Sequence, residues 1–492
     1  MNTTKMVCPI SEAAAKFADC PAIIFGARAI SYLQLEAHVW SSTKYLKKIG
    51  IQPQDKVVIV SPSSVEYVIV LLALWRLGAV ACLMSTRLPS PSLCQAVSEV
   101  NAAVFLSSSH KILSIPQITL RKFPLEEMIN FDIRDVSLSE AASVSLEQEA
   151  TIMYTSGTSH EPKAVLHTYG NHYFNALGAN ENIPLIPGHR WLLSLPLYHV
   201  GGLAILFRVI LSGAALVIPK PDEPPLDTVT KYKITHVSLV TTQLYRMLHN
   251  ETVLRNSSSL KAILLGGSSL PNSLLGEAIQ KQLPIYLTYG LTEMASQVAT
   301  TSKIPVSDPK NSNVKVLPHR ELKISSDPGG EIWVKGKTLF KGYCKNGKII
   351  LPLTEEGWFK TNDLGLLDAP GNLKVTGRKD NMFICGGENI QPEEIERYLC
   401  DLNGVEKAVV VPLEDKEFGF RPVAFLKFSD QLSLLLNKDA VVSHLEEFLP
   451  RFKIPVAFYQ WPQQNSLSGI KNSRRHFMPL IQGKQDGLKQ IF

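Results

Sequence analysis

The chain has 492 residues, of which 45% are hydrophobic and 19% charged. That is material for about three domains of packed core, and it excludes a small binding module or a disordered chain. Fifty Lys and Arg against 44 Asp and Glu leave a net charge of +6, which suits an anionic small molecule and is too mild to indicate nucleic acid. The seven cysteines form no CxxC pair, so no Cys-based metal site is expected and a reduced, cytoplasmic setting is. The opening MNTTKMVCPISEAAAKFADC has no apolar core of leader length, and no cleavable leader is expected.

Along the chain, KVVIVSP (56–62) reads as a buried strand before a helix at 65–80, followed by AAVFLSS (102–108), GAALVIP (213–219), THVSLV (235–240), KAILLGG (261–267) and PIYLTYG (284–290). Continuous rather than alternating apolar runs predict strands buried on both faces, and hence an α/β fold. The tracts 67–84 and 191–219 are apolar enough to suggest membrane spans. Arg76 interrupts the first, and Pro196, His199 and Arg208 the second, so buried core is expected and a span is not. From about 320 the texture changes to Gly, Pro and Asp turns between short segments, which reads as β-hairpins. A compact tail then shows a helix at 391–402, strands in EKAVVVPLE and PVAFLKF, and a helix at 440–450. The expected architecture is a large N-terminal domain over 1–379, made of helix-covered sheets plus a β-rich subdomain, and a small mobile α+β domain over 380–492.

In TIMYTSGTSHEPKAVLHT (151–168) a strand runs into hydroxyls, one glycine and a lysine before helical sequence resumes. The Thr155, Ser156 and Thr158 hydroxyls, backbone N–H groups around Gly157 and the Lys163 ammonium make an anion cradle; an ordinary Ser/Thr-rich turn is the bland alternative. YGLTE (289–293) follows a buried strand and so lies at its C-terminal mouth, where α/β sheets bind ligands. There Glu293 offers hard oxygen for Mg2+, Thr292 a hydroxyl for phosphate, and Tyr289, next to Gly290, a flat face for a base. Gly266 and Gly267, before Ser268, let a planar base approach the backbone. GEIWVKGKT (330–338) has five residues between its glycines, one too many for a Walker A loop. No GxSxG or HExxH occurs, which removes the commonest hydrolase and zinc-protease readings.

YTSGTSHEPKAV resembles the phosphate loop of the AMP-forming adenylate synthetases, the acyl-CoA synthetase superfamily, whose usual form is TSGTTGxPKGV. YGLTE, TNDLG (361–365), TGRKD (376–380), GGENI (386–390) and a late lysine in LSGIKNSR follow in the family's order, so the resemblance covers nearly the whole chain. It implies ATP and Mg2+, with Glu293 as metal ligand, Thr155, Ser156, Gly157, Thr158, Lys163 and Thr292 on the phosphates, and Gly266, Gly267, Ser268, Tyr289 and Gly290 bordering adenine. Asp363 and Arg378 would hold the ribose. Lys471 would touch both the reacting carboxylate and the α-phosphate, where it neutralises charge during attack. Asp380 would be the hinge of the C-terminal domain, and Gly386 and Gly387 would line a pantetheine tunnel, making coenzyme A the co-substrate.

LPLYHVGGLAILFR (195–208) with YGLTEMASQ (289–297) is most similar to the o-succinylbenzoyl-CoA synthetase subfamily of menaquinone and phylloquinone biosynthesis. The small-molecule acid would then meet His199 at the mouth of its pocket, Thr242 nearby, the Ser296–Gln297 pair, and Arg208. An arginine inside an apolar helix calls for an anionic partner: a structural carboxylate, or a second carboxylate on the substrate. Another aryl- or acyl-CoA ligase, a stand-alone adenylation enzyme loading a carrier protein, and an ATP-sensing pseudoenzyme stay open, and a homo-oligomer is compatible. His160 and Ala164 stand where the family's loop has glycines, and Asn362 stands for the glycine before Asp363, which puts the rate in doubt.

Overall fold

A computed structural model describes residues 5–129, 141–155, 163–255, 257–267, 270–305, 314–326, 330–345, 347–369, 371–385, 388–415, 417–428, 437–462, 474–482 and 490–491. Contacts divide the chain into two units, one of Met1–Gly267, Leu283–Leu322 and Val334–Phe359, the other of Ser268–Gln282, Lys323–Trp333 and Lys360–Phe492.

The apolar runs become two large sheets in the first unit. One has eight strands, with a parallel run of Arg121–Pro124, Val104–Ser107, Lys56–Val60, Val80–Leu83 and Glu149–Tyr154 extended antiparallel by Ala164–Thr168, Gly342–Lys345 and Lys348–Ile350. The other has nine. Its parallel core is Pro21–Phe25, Ala215–Ile218, Arg190–Leu192, His236–Leu239, Ala262–Leu265 and Ile285–Leu291, and antiparallel strands including Ser296–Thr301 flank it. Residues of both sheets and of the helices Val65–Leu77, Tyr169–Asn182 and Val200–Ser212 share one core, with Ile59, Leu83, Trp191 and Leu216 from strands and Leu71, Trp75 and Phe207 from helices.

Both suspected spans resolve into a helix that stops at a left-handed glycine and turns into a strand: Val65–Leu77, Gly78 (φ 84) and Val80–Leu83, then Val200–Ser212, Gly213 (φ 69) and Ala215–Ile218. Among the described residues no helix is long and apolar enough to cross a membrane. Arg76 is buried against Glu36, Nη2 to Oε2 at 2.5 Å, and also reaches Ser11 Oγ at 3.2 Å. One expectation changes here: Lys163 leads into the strand Ala164–Thr168, not directly into a helix. Ala, Val and Leu pair there with Glu149–Tyr154, and the helix waits for Thr168, whose hydroxyl accepts from Asn171 N in a capping box.

In the second unit a hairpin pairs Phe359–Leu367 with Leu373–Arg378, placing Asp363 opposite Arg378. Beyond it lies a five-stranded sheet in which Gly419–Phe428 pairs with Phe383–Cys385, Val405–Asp415 and Phe458–Gln460. Helices Pro392–Cys400 and Lys438–Glu446 pack Ile395, Leu399, Val441 and Leu445 against one face of it.

Two stability predictions follow from buried polar groups. Glu36→Gln leaves the Arg76 charge buried without its counter-ion and should cost about 3–5 kcal/mol; Glu36→Leu with Arg76→Met should cost clearly less in a urea-unfolding cycle, and additive losses would overturn the pairing. Burial lowers His167 from 6.5 to about 4, and His236 to about 3 with help from the charges of His189, Arg208 and Lys261. A depressed histidine lends stability that is present above its unfolded value and lost as pH falls towards the folded one. The unfolding free energy should therefore drop on acidification from 6.5 to 4, by about 3 kcal/mol from His167 alone. A flat profile across that window in the wild type, or an equally steep one in His167→Gln, would contradict this.

Candidate active site

The tract expected to hold phosphates joins the strands Glu149–Tyr154 and Ala164–Thr168 of the eight-stranded sheet in sequence. Its base is closed by Thr155 N donating to Lys163 O at 3.1 Å, while Ser156, Gly157, Thr158 and His160 lie outside the described residues. Ala164, in place of a glycine, is a buried member of the strand paired with Tyr154. Lys163 Nζ sits 4.9 Å from the centre of the Tyr343 ring, and the Tyr343 hydroxyl donates to Glu293 Oε1 at 2.8 Å. One aromatic ring thus joins the loop lysine to the acid of YGLTE. Tyr343 escaped sequence reasoning because KGYCKNG carries no local sign of a ligand.

Thr292 and Glu293 sit in a 3-10 turn, Thr292–Met294, between the antiparallel strands Ile285–Leu291 and Ser296–Thr301. The chain reverses through Ala295 (φ 54) and Ser296 (φ 120), conformations costing about 1–3 kcal/mol each for residues with a Cβ. Four hydrogen bonds from outside this hairpin hold it. His167 Nε2 donates to Thr292 O at 2.7 Å, Phe340 N to Glu293 O at 2.8 Å, and Asn175 Nδ2 to Met294 O and Gln297 O, both at 3.0 Å. Gly290 is required structurally, since a Cβ there would lie 2.1 Å from Ser296 O. At Gly266 a Cβ would meet Thr288 Cγ2 at 2.6 Å, while Gly267 (φ 81) faces open space with nothing within 4 Å. Tyr289 is half-buried on the same strand as Thr288, and Ser268 lies outside the described residues.

Arg208 is 1% exposed, and among the described residues no carboxylate pairs with it. Its acceptors are neutral: Nε donates to Asn180 Oδ1 (3.1 Å), Nη1 to Gln297 Oε1 (3.1 Å), and Nη2 to Ala179 O (3.3 Å) and Ile183 O (3.4 Å). The guanidinium also lies 4.1 Å from the centre of the Trp191 ring, whose other stacking partner is His236. Burial first, and then the nearby Arg320, lower Arg208 to about 9, so it stays cationic at neutral pH. Among the described residues, then, polar oxygens with an aromatic face carry the charge where a structural carboxylate was one expectation. Gln297 passes the network on, Nε2 donating to Thr300 Oγ1 at 2.9 Å, which itself lies 2.8 Å from Thr288 Oγ1 beside Gly266. His199 and Thr242 are exposed at helix starts; His199 precedes Arg208 by nine residues, about 13 Å along the axis.

The helix Tyr169–Asn182 organises this region through a pattern the sequence displays openly. Asn171, Asn175, Gly178 and Asn182 fall on one face at helical spacing. Asn171 Nδ2 donates to Lys337 O and Leu339 O, Asn175 to the reversal, and Asn182 Nδ2 to Thr301 O. At Gly178 a Cβ would stand 2.6 Å from Pro318 O.

In the second unit, Arg378 Nη1 donates to Asp363 Oδ1 at 2.8 Å and Nε to Asp380 Oδ1 at 2.9 Å, bringing three of the expected residues together. Asn362 has φ 61, the left-handed region that asparagine tolerates better than other side chains, which accounts for its standing in a glycine's place. Gly386, Gly387 and Lys471 lie outside the described residues. Three positions after Lys471, Arg474 is clamped to the helix Pro392–Cys400, Nη1 to Glu393 Oε1 at 2.7 Å and Nη2 to Glu396 Oε2 at 2.6 Å. Burial raises Glu396 to about 7 against the opposing pull of Arg474.

Among the described residues no group of three His, Cys, Asp or Glu could hold a metal. A Mg2+ ion that arrives on phosphates needs only one or two carboxylates and keeps its waters. Glu293 offers such a carboxylate, its Oε1 accepting from the Tyr343 hydroxyl.

Comparison with known proteins agrees along the length of the chain. The family profile described as AMP-binding enzyme matches residues 10–344. The 2-succinylbenzoate--CoA ligase of Oceanobacillus iheyensis is 32% identical over 440 residues, 87% of this chain and 89% of the relative. The solved structure of o-succinylbenzoate CoA synthetase from Bacillus subtilis in complex with the acyl-adenylate intermediate has a TM-score of 0.83 at 29% identity, covering 96% of this chain and 99% of that one. The Bacillus subtilis synthetase in complex with ATP and magnesium ion has a TM-score of 0.81 at 30% identity, covering 93% and 96%. With that profile over more than half of its length and relatives of this similarity along most of it, the chain belongs to the AMP-binding enzyme family.

Proposed function

We infer that the chain is an AMP-forming acid–thiol ligase that converts 2-succinylbenzoate, ATP and coenzyme A into 2-succinylbenzoyl-CoA, AMP and diphosphate, a step of menaquinone or phylloquinone synthesis. One carboxylate of the acid attacks the α-phosphorus of ATP and diphosphate leaves. The thiol of coenzyme A then attacks the acyl carbonyl of the adenylate and AMP leaves. The observation that carries the ligase reading is the union of Lys163, Tyr343 and Glu293 through a single ring. It puts an ammonium and a carboxylate side by side, as a nucleotide's phosphates and their cation require.

When bound, Mg2+ neutralises charge on the phosphates, with Glu293 as its carboxylate. Lys163 and the Thr155, Ser156, Thr158 and Thr292 hydroxyls take the phosphate oxygens. Gly266, Gly267, Ser268, Tyr289 and Gly290 border the base, and Asp363 and Arg378 take the ribose. Lys471 stabilises the charge that builds up as carboxylate meets phosphoryl. Rotation about Asp380 withdraws Lys471 after adenylation and brings Gly386 and Gly387 to the thiol, so the domain over 380–492 serves two half-reactions in turn.

The choice of acid rests on Arg208. A buried guanidinium whose side-chain acceptors are amides can exchange one of them, Gln297 Oε1, for a carboxylate at a net gain in charge pairing. A diacid has that second carboxylate to offer. Ser296, Gln297, Thr242 and His199 shape the remaining pocket. All seven cysteines are free thiols, in keeping with a cytoplasmic setting.

Lys471→Ala should slow acid-dependent diphosphate exchange by about 10²–10³-fold while thioester formation from supplied acyl adenylate persists; equal loss in both half-reactions would sink the division of labour. Arg208→Ala should raise KM for 2-succinylbenzoate by about 10–100-fold, the worth of a charge-assisted hydrogen bond, and alter benzoate-like monoacids far less. Equal losses for both acid classes in that variant would remove the second-carboxylate reading.

A further inference from the structure

We propose that His167 and Asn175 are positioning residues for adenylation, holding the 292–297 reversal on the one backbone path that brings Glu293 against Tyr343. The proposal rests on the reading of Glu293 as the carboxylate that receives the cation on ATP.

Two observations carry it. The reversal places two consecutive non-glycine residues, Ala295 and Ser296, at positive φ one residue beyond Glu293, and such backbone persists only where its surroundings over-determine it. The surroundings do so from two elements. Asn175 spends both amide hydrogens on Met294 O and Gln297 O, the carbonyls on either side of the strained pair. His167 caps Thr292 O from the strand that begins beside Lys163, so one strand fixes both the loop lysine and the acid turn.

The proton arrangement around His167 is determined by its partners. A carbonyl only accepts, so Nε2 carries the hydrogen and Nδ1 is the acceptor. Thr151 Oγ1, 3.3 Å from that Nδ1, donates to it, and itself accepts from His172 Nε2 at 2.8 Å. All three side chains are buried. Burial holds both histidines neutral, His167 near 4 and His172 well below its ordinary value, so the chain of donors keeps one direction at neutral pH. A leucine at 167 would fill the space and strip Thr292 O of its external donor, whereas glutamine supplies an N–H of similar reach.

The test measures binding and the two half-reactions for His167→Leu, His167→Gln and Glu293→Gln. Titration calorimetry of His167→Leu should show MgATP binding weakened by about 10-fold or more, the usual loss when a residue orienting a metal ligand is removed, with metal-free ATP bound as by the wild type. Diphosphate exchange should fall in kcat with KM for the acid unmoved, thioester formation from supplied acyl adenylate should persist, and His167→Gln should restore both binding and exchange. Wild-type MgATP binding by His167→Leu, or equal loss in the leucine and glutamine variants, overturns the proposal. If His167→Leu does not fold, Thr151→Val and Asn175→Asp are read instead: selective loss of MgATP affinity supports the positioning role, and its absence in both rejects it. Glu293→Gln separates the two readings, because retained MgATP preference there refutes the role of Glu293 itself, whereas its loss there beside an unaffected His167→Leu refutes only the positioning.

Discussion

Backbone carbonyls that leave a regular ladder inside a protein need donors brought to them, and the reversal at 292–297 presents four in six residues. The turn itself supplies Ala295 N to Thr292 O at 3.0 Å, but the strained pair Ala295 and Ser296 breaks the regular ladder, and further donors are brought in. They come from a histidine one strand away, a backbone amide at Phe340 and an asparagine on the facing helix. Much else depends on that settlement. Glu293 meets Tyr343 only while the turn holds, and Gln297 reaches Arg208 from its far end.

The positive charge in the interior is handled in the same currency of neutral dipoles. Arg208 and Arg320 are both buried and both shifted down towards 9, yet their acceptors are carbonyls and amides: Arg320 donates to Pro318 O and Asn175 O. Unlike a carboxylate, such acceptors leave the net charge in place, and an anion that enters gains the full attraction. Arg76 shows the opposite solution nearby, a charge cancelled by Glu36 and closed to any ligand.

The sheets were readable because runs such as VVIV (57–60) and AILL (262–265) are apolar at every position, as strands covered on both faces must be. The nearness of Asp363, Arg378 and Asp380 was readable because those residues lie in two short adjacent motifs that pair as a hairpin. What stayed hidden depends on distant contacts. Arg208 asked for a carboxylate on electrostatic grounds, and nothing local said that Asn180, Gln297 and two helix carbonyls would stand in for one. Tyr343 lies 50 residues from Glu293. The strand after Lys163 was missed because AVLHT runs straight into a helix cap. The asparagine face was visible in the spacing, but asparagine inside a helix is ordinarily a weak choice, and its reward lies in partners up to 168 positions away.

The face of the Tyr169–Asn182 helix touches its neighbours through their main chain: Lys337, Leu339, Met294, Gln297 and Thr301 are all gripped by their carbonyl oxygens. A carbonyl is the same whatever side chain follows it, so as far as this grip is concerned those positions are free to drift in identity. Length is another matter. One residue inserted between 294 and 297, or between 337 and 339, would move a carbonyl out of reach of a fixed amide, so these short segments should refuse insertions and deletions.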